Sequence, residues 1–181
     1  RRQNERCFHI HIHQTLSVVF LQVQLAVAIP CFSLHNRYMP DPRVADITNL
    51  LETKPTKKDM DLITRAFFFA ERAHQTQMRA SGEPYFYHLV ETAKNLARYQ
   101  MDAETIAAGL LHDTIEDTET SEADIGEYFG AEILFLIQSV TKLGKIKYRG
   151  EERHVESLRK FFLASAKDWR VVMIKLADRL H

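Results

Sequence analysis

Residues that turn or break a chain are scarce in this sequence: 181 residues contain only 6 Gly and 5 Pro. Few turns over that length disfavour a many-stranded sandwich or barrel and favour long helices. Cysteine is nearly absent too. Cys7 and Cys31 alone cannot build a disulfide framework, so nothing demands an oxidising compartment. Neither sign of charge is in excess, since 24 Lys+Arg balance 24 Asp+Glu. That balance argues against bulk attraction to nucleic acid. The apolar run Leu16 to Ile29 falls short of the roughly 18–20 residues a bilayer span needs, and Gln22 and Gln24 interrupt it. No membrane association is expected. What remains is a 45% hydrophobic, 27% charged chain of ordinary single-domain size.

The chain divides by composition. Residues 1–38 contain no Lys and one acidic residue, Glu5, yet hold both cysteines and four of the nine histidines. Arg1, Arg2 and Arg6 before the apolar run give a superficial look of a secretory signal, but no clean small-x-small cleavage site follows. His9, His11 and His13 would share one face of a strand, without a carboxylate or thiolate fixed beside them to make a metal site. The expectation is that Met39 is the true start and that residues 1–38 are a spurious leader without function. The domain is then 39–181, a fragment stopping within a helical pattern.

From Met39 onward apolar residues recur at helical spacing. Ile63, Ala66, Phe67, Ala70 and Ala73 predict a helix over 61–77. Leu89, Val90, Ala93, Leu96 and Ala97 predict another over 88–99, after the breaker Gly82-Glu-Pro84. A third is expected over 102–116, followed by a short helix that starts at Ser121 and ends at Gly130. Residues 131–143, 151–167 and 169–181 supply three more, with a loop over 144–150. No run alternates as a strand does. The fold class expected is all-α.

The informative stretch is Leu110-Leu-His-Asp-Thr-Ile-Glu-Asp117. On a wheel at about 100° per residue, Asp117 falls inside the apolar arc of the third helix and Asp113 at its edge. His112 and Glu116 stack beside them. Three carboxylates in a half-buried corner need a positive neighbour, and His beside Asp suggests a divalent cation. The final helix repeats the oddity: it is apolar nearly all round, apart from a strip with Lys175 and Arg179, yet Asp178 lies between Val171 and Ile174. A shared metal would serve both places. A solvated helix end for the acidic run, and an Asp178–Arg salt bridge, are the structural alternatives.

Four segments carry a resemblance: Arg79-Ala-Ser-Gly-Glu-Pro-Tyr-Phe-Tyr-His88, Leu111-His-Asp-Thr-Ile-Glu-Asp-Thr118, Val140-Thr-Lys-Leu143 and Ile174-Lys-Leu-Ala-Asp-Arg-Leu-His181. In that order, they resemble the N-terminal HD hydrolase domain of the RelA/SpoT homologues, over roughly residues 46–181. The resemblance implies an HD-type helical bundle, truncated at its C-terminus, that hydrolyses the 3′-pyrophosphate of ppGpp and pppGpp. It implies one manganese ion held by His88, His112, Asp113 and Asp178. It makes Glu116 and Asp117 the pair that positions and activates water. It puts Arg79 and Ser81 in a loop beside the substrate, and Lys142 and Lys145 in a basic stretch along the nucleotide pocket. A cytoplasmic location is implied, as are a synthetase domain and C-terminal regulatory domains in the full-length parent. The family pattern continues past His181 with residues this chain does not include.

Two other functions stay open. The domain would bind alarmone or regulate a synthetase without turnover, or it would be an HD phosphohydrolase for another nucleotide. The Arg79–His88 loop argues against the latter, because a generic HD enzyme has no need of it. Nucleic-acid binding through the basic stretch from Lys142 to Arg149 is set aside as an ordinary solvated loop.

Overall fold

The computed structural model describes residues 41–144 and 166–180. The expectations for residues 1–38, for the loop after Gly144, for Lys145 and for a helix over 151–167 lie outside the described residues. So does the end of the final segment, at His181.

Every regular element among the described residues is a helix, as the composition implied. Helix α1 (Pro42–Thr48) begins with Asp41 accepting from the Arg43 N–H and with proline at the first turn. It was not expected from the spacing, being too short to show a period. Helix α2 (Lys57–Ala73) starts from a reciprocal capping box between Thr56 and Asp59. It stops at Ala73, short of the Gln77 expected. Helix α3 (Phe86–Arg98) follows a tight loop whose base is closed by Tyr85 N–H to the Gln77 carbonyl, 2.9 Å. Within that loop Gly82 takes a positive φ of 87°, a conformation suited to glycine.

Helix α4 (Ala103–Leu111) is the centre of the molecule. Of its nine residues only Glu104 escapes burial, and α2, α3 and later helices all pack on it. Its small residues Ala107, Ala108 and Gly109 let those neighbours approach closely. Each large side chain sealed in this core, such as Leu110 or Ile106, contributes about 1.5–3 kcal/mol. Helices α5 (Thr114–Asp117), α6 (Glu122–Phe129), α7 (Ala131–Gly144) and α8 (Trp169–Arg179) follow among the described residues. Gly130, at φ 89°, ends α6 where the sequence placed a stop.

Two expectations need correction. The continuous helix over 102–116 is broken at His112–Asp113. His112 donates from Nδ1 to the Gly109 carbonyl (2.8 Å), and Thr114 donates from Oγ1 to the Leu111 carbonyl (2.6 Å). These side chains take up carbonyls that a continuing helix would bond from its backbone, and the axis re-forms one turn on as α5. The wheel drawn through Glu116 and Asp117 therefore does not apply: both are exposed, and Asp117 does not face the core. The final segment, expected to be buried nearly all round, buries Val171, Ile174 and Ala177 of α8 but leaves Leu176 50% exposed and Leu180, just past the helix, 64% exposed.

Candidate metal centre

Three elements converge on one point. His88 sits in the first turn of α3, His112 caps the C-terminus of the buried α4, and Asp178 lies in the last turn of α8. The two imidazoles are buried and Asp178 is half-buried. A donor atom from each of His88, His112 and Asp178 lies within 4.8 Å of the other two. His88 Nε2 is 3.1 Å from Asp178 Oδ1, and His112 Nε2 is 3.7 Å from the same oxygen. Asp113 abuts this group: its Oδ2 is 3.1 Å from His112 Nε2. Ligands about 2.1 Å from a shared ion sit about 3–3.5 Å from one another, so these separations suit a common cation.

The tautomer of His112 sharpens the case. Its Nδ1 faces the Gly109 carbonyl, which can only accept, so Nδ1 carries a proton. In the neutral ring Nε2 then presents a lone pair to two carboxylates. That nitrogen is fully buried and makes no hydrogen bond of acceptable geometry. Only a positive species at Nε2, a proton or a metal ion, removes the repulsion. The donor set the structure brings together, two imidazoles and the Asp178 carboxylate with Asp113 beside them, suits a first-row divalent ion, and a carbonyl fixing the far nitrogen is the usual support for a histidine ligand.

The electrostatics agree. Burial opposes a charge on His112, but the carboxylates of Asp113 and Asp178 beside Nε2 prevail and raise it to about 10. Burial likewise pushes both carboxyls up. His112 and Tyr85 outweigh it at Asp113, and His112, His88 and Lys175 outweigh it at Asp178, so both fall below the ordinary carboxylate range. Lys175 donates to Asp178 Oδ2 at 2.6 Å, which leaves Oδ1 turned towards the two imidazoles. The Asp178–Arg pairing considered from sequence is thus replaced by lysine and histidine.

The remaining expected residues are distributed around this cluster. Glu116 and Asp117 stand on α5, one turn beyond Asp113, exposed and outside the ligand group. Arg79 and Ser81 lie in the loop between α2 and α3. Ser81 is exposed, while Arg79 is half-buried and bonds through its main chain to Glu83 and Gly82. The base of that loop touches the acidic turn twice: Tyr85 donates from its hydroxyl to Asp113 Oδ2 (2.6 Å), and Gln77 donates to the Asp117 carbonyl. Lys142 is exposed near the end of α7, and no hydrogen bond or ion pair ties it to the cluster among the described residues. Sequence reading missed Tyr85, Lys175, Gln77 and His74 as parts of the site. Tyr85 and Lys175 fall inside the quoted motifs, which was the one signal available for them.

A family model described as an HD domain matches residues 66–181, and the chain belongs to that family. HD domains are metal-dependent, which agrees with the His/Asp group. Among relatives, the chain is 47% identical over 135 residues to the guanosine-3′,5′-bis(diphosphate) 3′-pyrophosphohydrolase of Aquifex aeolicus, covering 75% of this chain and 19% of the relative. It is 40% identical over 136 residues to the bifunctional (p)ppGpp synthase/hydrolase SpoT of Escherichia coli K12, covering 75% of this chain and 19% of the relative. The chain therefore spans about a fifth of the length of these curated relatives. A solved structure described as a metazoan ortholog of SpoT that hydrolyses ppGpp aligns with a TM-score of 0.51 and 29% identity, over 71% of this chain and 69% of that one. The RelA/SpoT resemblance read from the four motifs is borne out by these relatives.

Proposed function

We propose that this chain is the hydrolase region of a RelA/SpoT-type protein and removes the 3′-pyrophosphate from ppGpp and pppGpp. Water adds across the phosphorus–oxygen bond at the ribose 3′ position, giving pyrophosphate and GDP or GTP. The observation that carries the reading is the convergence of His88, His112 and Asp178, whose donor atoms lie within 4.8 Å of one another, with Asp113 beside His112. His88, His112, Asp113 and Asp178 are the residues that would hold the metal, with Mn2+ the ion proposed. Such an ion, when bound, supplies charge for the phosphoryl oxygen and acidifies water.

The protein's own groups do the rest. Glu116 and Asp117 follow Asp113 by one turn and are exposed, which lets them reach a water on the solvent side of the cluster. They orient that water by hydrogen bonds and take its proton. Arg79 and Ser81 hang from the loop whose base is tied to Asp113 and Asp117, within the same neighbourhood as the acidic pair. A guanidinium there offsets phosphate charge and orients the substrate. Lys142 and Lys145 are proposed to line the nucleotide side. A cytoplasmic setting suits this substrate, and no helix among the described residues is long and apolar enough to cross a membrane. In the parent protein the domain would work beside synthetase and regulatory domains.

The test is pyrophosphate release from ppGpp with Mn2+, compared among the wild-type chain, Asp113→Ala and Glu116→Ala. The expected result is loss in both variants, with metal binding weakened in Asp113→Ala and retained in Glu116→Ala. Equal turnover in all three refutes the roles. Nucleotide binding without any pyrophosphate release would instead favour a regulatory module.

A further inference from the structure

One buried histidine stands outside the ligand set. His74 caps the C-terminus of α2 and is 1% exposed. Its Nδ1 is 2.7 Å from Gln77 Oε1, and the Gln77 amide nitrogen donates to the Asp117 carbonyl. A carbonyl only accepts, so that contact fixes which way the Gln77 amide points. Oε1 is then the acceptor for His74, and His74 carries its proton on Nδ1. On its other side the ring of His74 stacks on Tyr85, with centroids 5.2 Å apart and planes 16° from parallel. Tyr85 in turn donates to Asp113 Oδ2 at 2.6 Å. A single imidazole thus reaches both ends of the segment from Asp113 to Asp117.

The second nitrogen supplies an independent argument. With the proton on Nδ1, Nε2 is a bare acceptor, and it is buried without a hydrogen-bond partner. Sealing away an unpartnered polar atom lowers stability. A phenyl ring would fill the same space and stack equally well on Tyr85 without that penalty. What phenylalanine cannot supply is the Nδ1–H that orients Gln77.

We propose that His74 is a positioning residue that, through Gln77 and Tyr85, sets the placement of the Glu116–Asp117 turn relative to Asp113. Its kinetic consequence rests on the hydrolase reading above; the contacts themselves do not. Activity and stability should move apart when it is replaced, because the ring nitrogen serves the turn and not the core.

The test uses His74→Phe, Gln77→Ala and the double variant in the whole chain. Each single change is expected to lower kcat for pyrophosphate release about tenfold, with KM for ppGpp changed by no more than about twofold. The double variant should fall no further than the worse single, since both act through one contact. His74→Phe should melt no lower than wild type. Nitrogen-15 spectra of wild type should show His74 protonated at Nδ1, and the amide signals of residues 113–117 should shift in both single variants. Multiplicative kinetic losses, wild-type kcat in His74→Phe, a proton on Nε2 in wild type, or unmoved amide signals would each overturn the proposal. Absence of pyrophosphate release in wild type would instead overturn the hydrolase reading, and the spectra would still decide the relay.

Discussion

Gly109 joins the packing of the core to the geometry of the metal centre, and Gly109→Ala separates the two effects. The residue lies inside α4 against Leu96 of α3, which is fully buried. A methyl group at Gly109 would run into Leu96 Cδ1, with Thr92 Cγ2 also in contact at 3.8 Å. Alanine in a helix interior gains about 1 kcal/mol over glycine. Overpacking a tight core costs about 1–3 kcal/mol, so Gly109→Ala should destabilise the protein by about 0–2 kcal/mol. Leu96→Ala alone opens a cavity and costs about 2–5 kcal/mol. In that background the clash is gone, and Gly109→Ala should stabilise by about 1 kcal/mol. The sign therefore reverses. His88 is carried by α3, while His112 is anchored to the Gly109 carbonyl at 2.8 Å. Pushing the two helices apart should thus weaken divalent-metal binding in Gly109→Ala and restore it in the double variant. Urea unfolding of the four proteins with parallel Mn2+ titrations measures both. An equal, stabilising effect of Gly109→Ala in the two backgrounds would refute the close approach of α3 and α4.

Three further outcomes follow from the cluster. Lys175→Met removes the donor on Asp178 Oδ2 and frees that carboxylate to rotate; Mn2+ affinity by calorimetry should fall about tenfold, and an unchanged affinity would show that the lysine has no orienting role. In chelator-treated protein, Asp113 and Asp178 are depressed, so the stability they contribute is present above about pH 4 and lost as the pH falls. His112 is raised to about 10, so its contribution is complete below its ordinary value and lost as the pH rises through about 10. Melting temperatures should therefore decline on both the acid and the alkaline side, and a flat profile would contradict the pairing. Adding Mn2+ at about a hundred times its Kd should stabilise wild type by about 2.7 kcal/mol. It should do nothing for a His112→Ala variant, as differential scanning calorimetry would show.

The helices were legible where the pattern was long. Repeated apolar spacing from Ile63 to Ala73 and from Leu89 to Ala97 found α2 and α3, and Gly130 marked the end of α6. Helix α1 has seven residues, fewer than two full repeats of the period, and its signal is a cap and a proline rather than a stripe. The break at His112 was invisible for a different reason. A hydrophobic wheel assumes one straight axis, and the contacts that end α4 are made by His112 and Thr114 side chains that a wheel does not represent. Asp117 was drawn into the core on that assumption and is exposed.

The wheel nevertheless led to a histidine that the structure places between two carboxylates, and the reason lies in the cost of burying charge. An acidic residue beside a wholly apolar helix must either be neutralised or leave the core. Asp113 does the first, with Tyr85 and His112 against it, and Asp117 does the second by way of the helix break. Asp178 does the first as well, through His88, His112 and Lys175. Composition alone can detect that such a conflict exists, because it needs only the apolar neighbours and the charge. It cannot detect the resolution, which depends on which distant hydroxyl, amide or ammonium group arrives. Tyr85 is 28 positions from Asp113, and Gln77 is 40 from Asp117. That asymmetry explains why His112, Asp113 and Asp178 were conspicuous in the sequence while Tyr85, Lys175 and Gln77, which hold them in place, were not.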